Sequence, residues 1–187
     1  MIEGILLAVL RSVEEQTEGS NRKEAFMPIM KKLKECFDEA KISYEVYNHP
    51  LAYTAQEIAQ KQHFSGDHMA KVVMLIVDGN LAMAVVTASE KVHLPTAAHN
   101  LGATNVRLAT EDEFMARFPG CEIGAMPPFG NLFGLPVYVD PAVGDSELIY
   151  FNGGTHVQTV RLRYADFRKL VKPRVIDLVE ETRRKAA

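Results

Sequence analysis

Two apolar runs that meet at Asp78-Gly79-Asn80 constrain this chain more than any other stretch. Lys71-Val-Val-Met-Leu-Ile-Val runs into the turn, and Leu81 to Thr87 runs out of it. Asp-Gly between two such runs reads as a tight hairpin, because both residues tolerate the positive φ that a two-residue loop demands. Lys71 is the exception in its run. It opens a strand that is otherwise apolar on both faces.

The other segments predict an α+β chain rich in hairpins. Ile2, Ile5, Leu6, Val9, Leu10 and Val13 recur at helical spacing, which predicts an amphipathic helix. Polar residues from Glu18 to Lys23 read as a linker. Pro28 suits the first turn of a second helix, with Met30, Leu33 and Phe37 on its apolar face. Tyr44 to Tyr47 is a short strand, ended by Asn48-His49-Pro50. Thr54-Ala-Gln-Glu57 is a capping box, and Thr110-Glu-Asp-Glu113 is a second. Between them a short helix over Thr96 to Leu101 stops at Gly102, and Val106 to Leu108 is a strand. Val137 to Val139 is another. Leu148 to Phe151 and Val157 to Leu162 pair across Asn152-Gly153-Gly154. Tyr164 to Val171 is helical and stops near Pro173. Helices and strands do not alternate strictly, so the sheet is mixed or antiparallel rather than doubly wound.

Composition narrows the function classes. The chain has 187 residues, 47% hydrophobic and 24% charged, as an ordinary globular domain has. No apolar run is long enough to span a bilayer. Met1 to Leu10 carries Glu3 and lacks a basic start, so it does not read as a signal peptide. Cys36 and Cys121 form neither a disulfide framework nor a metal spacing, which points to a reducing cytoplasm. Net charge is −3, but it is uneven. From Arg161 onward nine lysines and arginines face four acids, leaving the first 160 residues at −8. A basic end on an acidic body suits local contact with phosphates. A solvated terminal helix has the same composition.

Gly124-Ala-Met-Pro-Pro-Phe-Gly130 is the stretch with most chemical promise. Pro128 pushes Pro127 to an extended conformation, and Pro127 does the same to Met126. The segment is a poor helix and a poor central strand. It predicts a stiff loop in which Gly124 and Gly130 take unusual φ values. The N–H groups of Ala125 and Met126 are then left for something other than a ladder, such as a carbonyl or oxyanion. A rigid surface turn joining two elements is the plainer reading.

Lys71 reads either as a lysine snorkelling at a strand end or as a cation at a pocket edge. His156 follows Gly153-Gly154-Thr155 at a strand start, where an imidazole can exchange protons near neutral pH. His49, His63, His68, His93 and His99 show no metal spacing, so no metal is expected. There is no nucleophile elbow and no phosphate-binding glycine loop.

Together these residues resemble the YbaK family, which includes the editing domain of bacterial prolyl-tRNA synthetases and its free-standing relatives. The resemblance rests on Asn48-His49-Pro50, Thr54-x-x-Glu57, Ala70-Lys71-Val-Val, Gly124-x-x-x-Pro128-Phe-Gly130 and Gly153-Gly154-Thr155-His156. It covers about Ile42 to Pro173. It implies a mixed, mostly antiparallel, partly barrel-like sheet surrounded by helices. It divides the chain into an N-terminal helix and linker, 1–26, and a YbaK-like domain, 27–187.

The activity implied is hydrolysis of mischarged aminoacyl-tRNA by water, without metal or organic cofactor. By resemblance, Lys71 contacts the terminal ribose-phosphate, and the Gly124 loop presents backbone N–H groups to the scissile carbonyl. Thr54 and His156 line the amino-acid pocket, with Ala125, Met126, Pro127, Pro128, Gly130 and Gly154 around it. Met126-Pro127 departs from the smaller residues of many relatives, which leaves pocket size open. The expected partners are the acceptor end of tRNA, a synthetase, and a second copy docked through the N-terminal helix; no membrane is expected. Two rivals stand beside this reading. One is a binding module that keeps the pocket without turnover. The other is a hydrolase of small acyl esters independent of tRNA.

Overall fold

The computed structural model describes residues 31–51 and 68–180. The helix expected at Met1–Val13, the linker, Pro28, Met30, Thr54 with its capping box, His63 and the end of the basic tail all lie outside those residues.

Eight strands and four α-helices follow in order. They are α1 (Lys31–Glu39), β1 (Glu45–Asn48), β2 (Ala70–Val77), β3 (Asn80–Thr87), α2 (Leu94–Leu101), β4 (Val106–Leu108), α3 (Glu111–Phe114), β5 (Val137–Val139), β6 (Leu148–Asn152), β7 (Gln158–Arg163), α4 (Tyr164–Val171) and β8 (Arg174–Val175). Short 3₁₀ turns at Gly130–Phe133 and Pro141–Gly144 flank β5.

The strands make two sheets. One has the order β1-β7-β6 and is antiparallel. The other has the order β4-β2-β3-β5-β8, antiparallel in its first half and parallel from β3 onward. A single parallel bridge, Met69 to Tyr150, links them. The architecture is thus α+β with mixed sheets, as expected. The two sheets meet at that bridge without closing into a barrel.

The β2–β3 turn forms as the sequence requires. Asp78 and Gly79 take φ values of 46° and 81°, which suits the right-handed twist of the flanking strands. Asp78 Oδ1 also accepts the Asn105 N–H at 2.8 Å, so the turn anchors the approach to β4. Both faces of β2 and β3 are covered. Ala70, Met74, Met83 and Val85 join a core with Phe37, Phe129, Phe151 and Phe167. Leu75, Ala84 and Val86 join a second cluster with Ala97 and Leu178. The apolar run reads as continuous because alternate residues serve two different cores.

Several boundaries differ from the sequence reading. The strand before His49 runs Glu45–Asn48, one residue later. Helix α2 starts at Leu94, because His93 caps it: its Nδ1 accepts the Thr96 N–H at 3.4 Å. Histidine is not a usual capping residue, so the sequence carries no start signal there. Strand β8 has two residues and owes its existence to β5 alone.

Candidate active site at the Gly124 loop and the His156 turn

The Gly124–Gly130 loop starts at the surface with exposed Gly124 and then turns inward. Residues Ala125 to Gly130 are all buried. Phe129 holds them there, its ring 5.3 Å from that of Phe37 and 5.5 Å from those of Phe151 and Phe167. A phenylalanine packed by three others is worth about 3–5 kcal/mol against alanine. The core therefore fixes the position of a loop that makes no ladder bonds of its own.

The two glycines serve different needs. Gly124 has φ +85°, the expected left-handed conformation. Gly130 does not. A Cβ there would stand 2.8 Å from Val137 Cγ2 and 3.3 Å from Leu135 O, so Gly130 is required by space rather than by φ. Ala125 also corrects an expectation. Its N–H donates to Glu122 O at 3.0 Å, closing a turn. That turn forms because Gly124 reverses the chain and brings the two residues together. The Gly124 N–H meets the Met126 sulfur at 3.3 Å. Met126 itself turns inward and packs in the main core.

The tip of the β6–β7 hairpin is stitched to this loop. Glu122 N–H donates to Gly154 O at 2.8 Å, and Gly154 N–H donates to Ala125 O at 3.1 Å. Glu122 Oε2 accepts the His156 N–H at 2.6 Å. The imidazole returns the contact, with Nε2 2.8 Å from Ile123 O. A carbonyl only accepts, so Nε2 carries the proton. A Cβ on Gly124 would lie 3.4 Å from His156 Cε1. His156 thus forms a wall against Gly124, with Nε2 already committed to the backbone. It lies in the turn two residues before β7 rather than at the strand's first residue.

Lys71 belongs to a different part of the surface. It is the second residue of β2, opposite Val86, and alternation puts it on the face of Val73 and Leu75. Its ammonium donates to Ala88 O at 3.0 Å. Burial lowers its pKa below the ordinary lysine value, Lys91 lowers it further, and Glu90 opposes both. Among the described residues, the hydrogen bonds join Glu122, Ala125, Gly154 and His156 into one unit beside Gly124. They leave Lys71 with the loop after β3.

Other chemistry is disfavoured by the surroundings. Burial pushes the Cys121 thiol up to about 11, so it stays protonated and is a poor nucleophile. Among the described residues no three His, Cys, Asp or Glu side chains converge as metal ligands would. No helix among them is long and apolar enough to cross a membrane.

Sequence reasoning missed Glu122, Thr155 and Gln158. Glu122 gave no signal, since an acid after Cys121 looks like any surface residue. Gln158 did give one. It heads the inward series Gln158, Val160, Leu162, and an amide at the head of a buried apolar series has a reason to be there.

These features coincide with a known domain. Residues 49–170 match the model of the aminoacyl-tRNA editing domain, and the chain belongs to that family. A proline–tRNA ligase of Shouchella clausii (strain KSM-K16) is 31% identical over 100 residues, 54% of this chain; the match spans only 17% of that ligase. The multifunctional Ser/Thr-tRNA deacylase ProXp-y of Escherichia coli (strain K12) is 24% identical over 139 residues, covering 72% of this chain and 83% of the relative. A solved structure described as a candidate trans-editing enzyme for prolyl tRNA synthetase shares the fold, with a TM-score of 0.72 and 23% identity over 83% of this chain and 99% of that one.

Proposed function

We propose that this chain is a trans-editing deacylase that hydrolyses the ester of mischarged aminoacyl-tRNA carrying a small amino acid. The observation that carries the reading is the Gly124–His156 contact, lying inside a domain of the editing family. The name of one relative, a Ser/Thr-tRNA deacylase, supports the substrate class.

The division of labour follows the two parts of the substrate. An aminoacyl nucleotide presents a phosphate at one end and an ester at the other. Lys71 takes the phosphate of the terminal nucleotide, from β2 beside the loop after β3. The loop from Gly124 to Pro128 and the His156 wall receive the ester carbonyl and the amino-acid side chain, together with Gly130, Gly154 and Thr54. With the Ala125 N–H committed to Glu122, the Met126 N–H is the remaining candidate for the carbonyl. Water attacks, and the protein contributes orientation and electrostatic stabilisation. His156 orients through its hydrogen bond to Ile123.

The finer partners follow from the same reading. The acceptor end of tRNA is the ligand, a synthetase is the docking partner, and the cytoplasm is the place where both are found. The N-terminal helix is the surface proposed for a second copy. Incubating the purified chain with a panel of mischarged tRNAs tests the proposal. Release of alanine or serine is expected. A panel left wholly intact would favour the binding module, and cleavage of free aminoacyl esters as fast as aminoacyl-tRNA would favour the small-ester hydrolase.

A further inference from the structure

The hairpin that carries His156 also carries buried polar oxygens that meet no partner among the described residues. Gln158 is 3% exposed and Thr155 is 8% exposed. The Gln158 amide is oriented by its own donor, with Nε2 on Asn48 Oδ1 at 3.2 Å. That leaves Oε1 as the free end of a buried amide, and among the described residues it meets no hydrogen-bond partner; the Thr155 hydroxyl meets none either. A buried polar atom without a partner is costly enough that folded proteins rarely retain one idly.

Their placement points to the ester site. Gln158 heads the face of β7 that continues through Val160. Val160 belongs to the same core as Met126, and the Phe151 ring lies 5.5 Å from that of Phe129 in the proline loop. Thr155 lies between Gly154 and His156, whose backbone groups bond to Ala125 and Glu122. Asn152 also has a buried, unpartnered oxygen. It pairs with Thr159, on the opposite face of the hairpin, and takes no part here.

The chemistry of the missing partner can be stated. Gln158 Oε1 accepts only, and the Thr155 hydroxyl can accept through two lone pairs besides donating its O–H. The residue after Thr155 is bonded to a carboxylate: exposed Glu122 accepts the His156 N–H through Oε2. Neutral acceptors beside a carboxylate suit a group with several N–H donors and a positive charge. An aminoacyl ester carries one such group, its α-ammonium. We propose that Gln158 and Thr155, with the Glu122 carboxylate held on the adjoining His156 N–H, form the subsite for the substrate α-ammonium. This rests on the deacylase reading above and extends it. The enzyme takes esters with a free α-ammonium and spares those with a blocked nitrogen, as in acylated or peptidyl-tRNA.

The test uses binding, so that it does not depend on turnover. The probes are non-hydrolysable 3′-alanylamido-3′-deoxyadenosine and its N-acetyl form, titrated calorimetrically into the full chain. The free-amine probe should bind at least about ten-fold more tightly. Thr155→Val keeps the shape and removes the hydroxyl, and Gln158→Leu removes the amide. Each should bring the ratio of affinities toward one while leaving the N-acetyl probe's affinity unchanged. Thr155→Val stands by itself if Gln158→Leu fails to fold. Equal affinities for the two probes in the parent chain, or an undiminished ratio in Thr155→Val, would overturn the subsite. A clear preference for the free amine with no hydrolysis of any aminoacyl-tRNA would keep the subsite and reject the deacylase reading.

Discussion

A Cβ on Gly124 would stand 3.4 Å from Cε1 of His156. The loop and the imidazole therefore lie side by side, and a Cβ would only touch the ring. Glycine is required by φ: at +85° any L-residue is strained, at about 1–2 kcal/mol. Gly124→Ala should fold, with a melting temperature lowered by a few degrees, and turn over on the order of 10²-fold more slowly, as expected when a reacting group is misplaced. Single-turnover deacylation beside a thermal melt checks this. Undiminished turnover would remove Gly124 from the site.

Lys71→Met should separate function from stability. A half-buried ammonium whose pKa is lowered by burial is a burden on the folded state. Methionine in its place should raise the melting temperature at neutral pH while turnover falls about 10²–10³-fold, by comparison with the loss of an oxyanion donor. Lys71→Arg should also be impaired, since a planar fork does not replace a compact ammonium. A melting temperature that falls in Lys71→Met, with turnover intact, would make this lysine structural.

The same group should set the alkaline limb of the pH profile. Its protonated form is the one that meets a phosphate, and its lowered pKa means the cation is lost at lower pH than for an ordinary lysine. The charges facing it are Glu90, which raises the value, and Lys91, which lowers it. Glu90→Gln should move the limb of kcat/KM to lower pH, and Lys91→Ala should move it to higher pH. A limb that ignores both changes does not belong to Lys71. The stability sign runs the same way. Below the folded pKa the native state bears the full burden of a buried charge, and stability rises as pH climbs through that value.

Met126 is a core residue before it is a sieve. It is buried in the main core, so Met126→Ala should cost about 2–5 kcal/mol of stability. Met126→Leu conserves volume and should cost under about 1.5 kcal/mol. If the loop excludes by size, Met126→Ala should gain valyl and leucyl esters while Met126→Leu keeps the alanyl and seryl preference. One tRNA body charged with alanine, serine, proline, valine or leucine provides the comparison. An unchanged profile in Met126→Ala places the sieve elsewhere.

Binding of tRNA should weaken as salt rises. The first 160 residues carry −8 and the remainder a surplus of five positive charges, so phosphate contacts are few and local. The slope of log K against log salt counts them. Removing Arg183 to Lys185 should lower that slope. An unchanged slope would leave the tail as a solvated end.

The sequence by itself determined the elements with strong local chemistry. Asp78-Gly79 makes its turn, Thr110-Glu113 makes its capping box, and the β6–β7 pairing runs across the glycines. These depend on φ preferences and on hydrogen bonds a few residues apart, which a linear reading sees. It also named Gly124, Lys71 and His156 as the residues with unexplained chemistry. The tertiary structure alone decided how they relate. Gly130 is glycine because Val137, from a strand placed by pairing with β3, fills the space above it. Ala125 loses its N–H to Glu122 because Gly124 reverses the chain. Met126 faces inward because four phenylalanines give its loop a core to enter. The unpartnered oxygen of Gln158 exists only because Asn48, more than a hundred residues earlier, takes the other end of its amide. Local preference writes the elements of this chain, but burial and pairing between distant segments decide which atoms are left with something to bind.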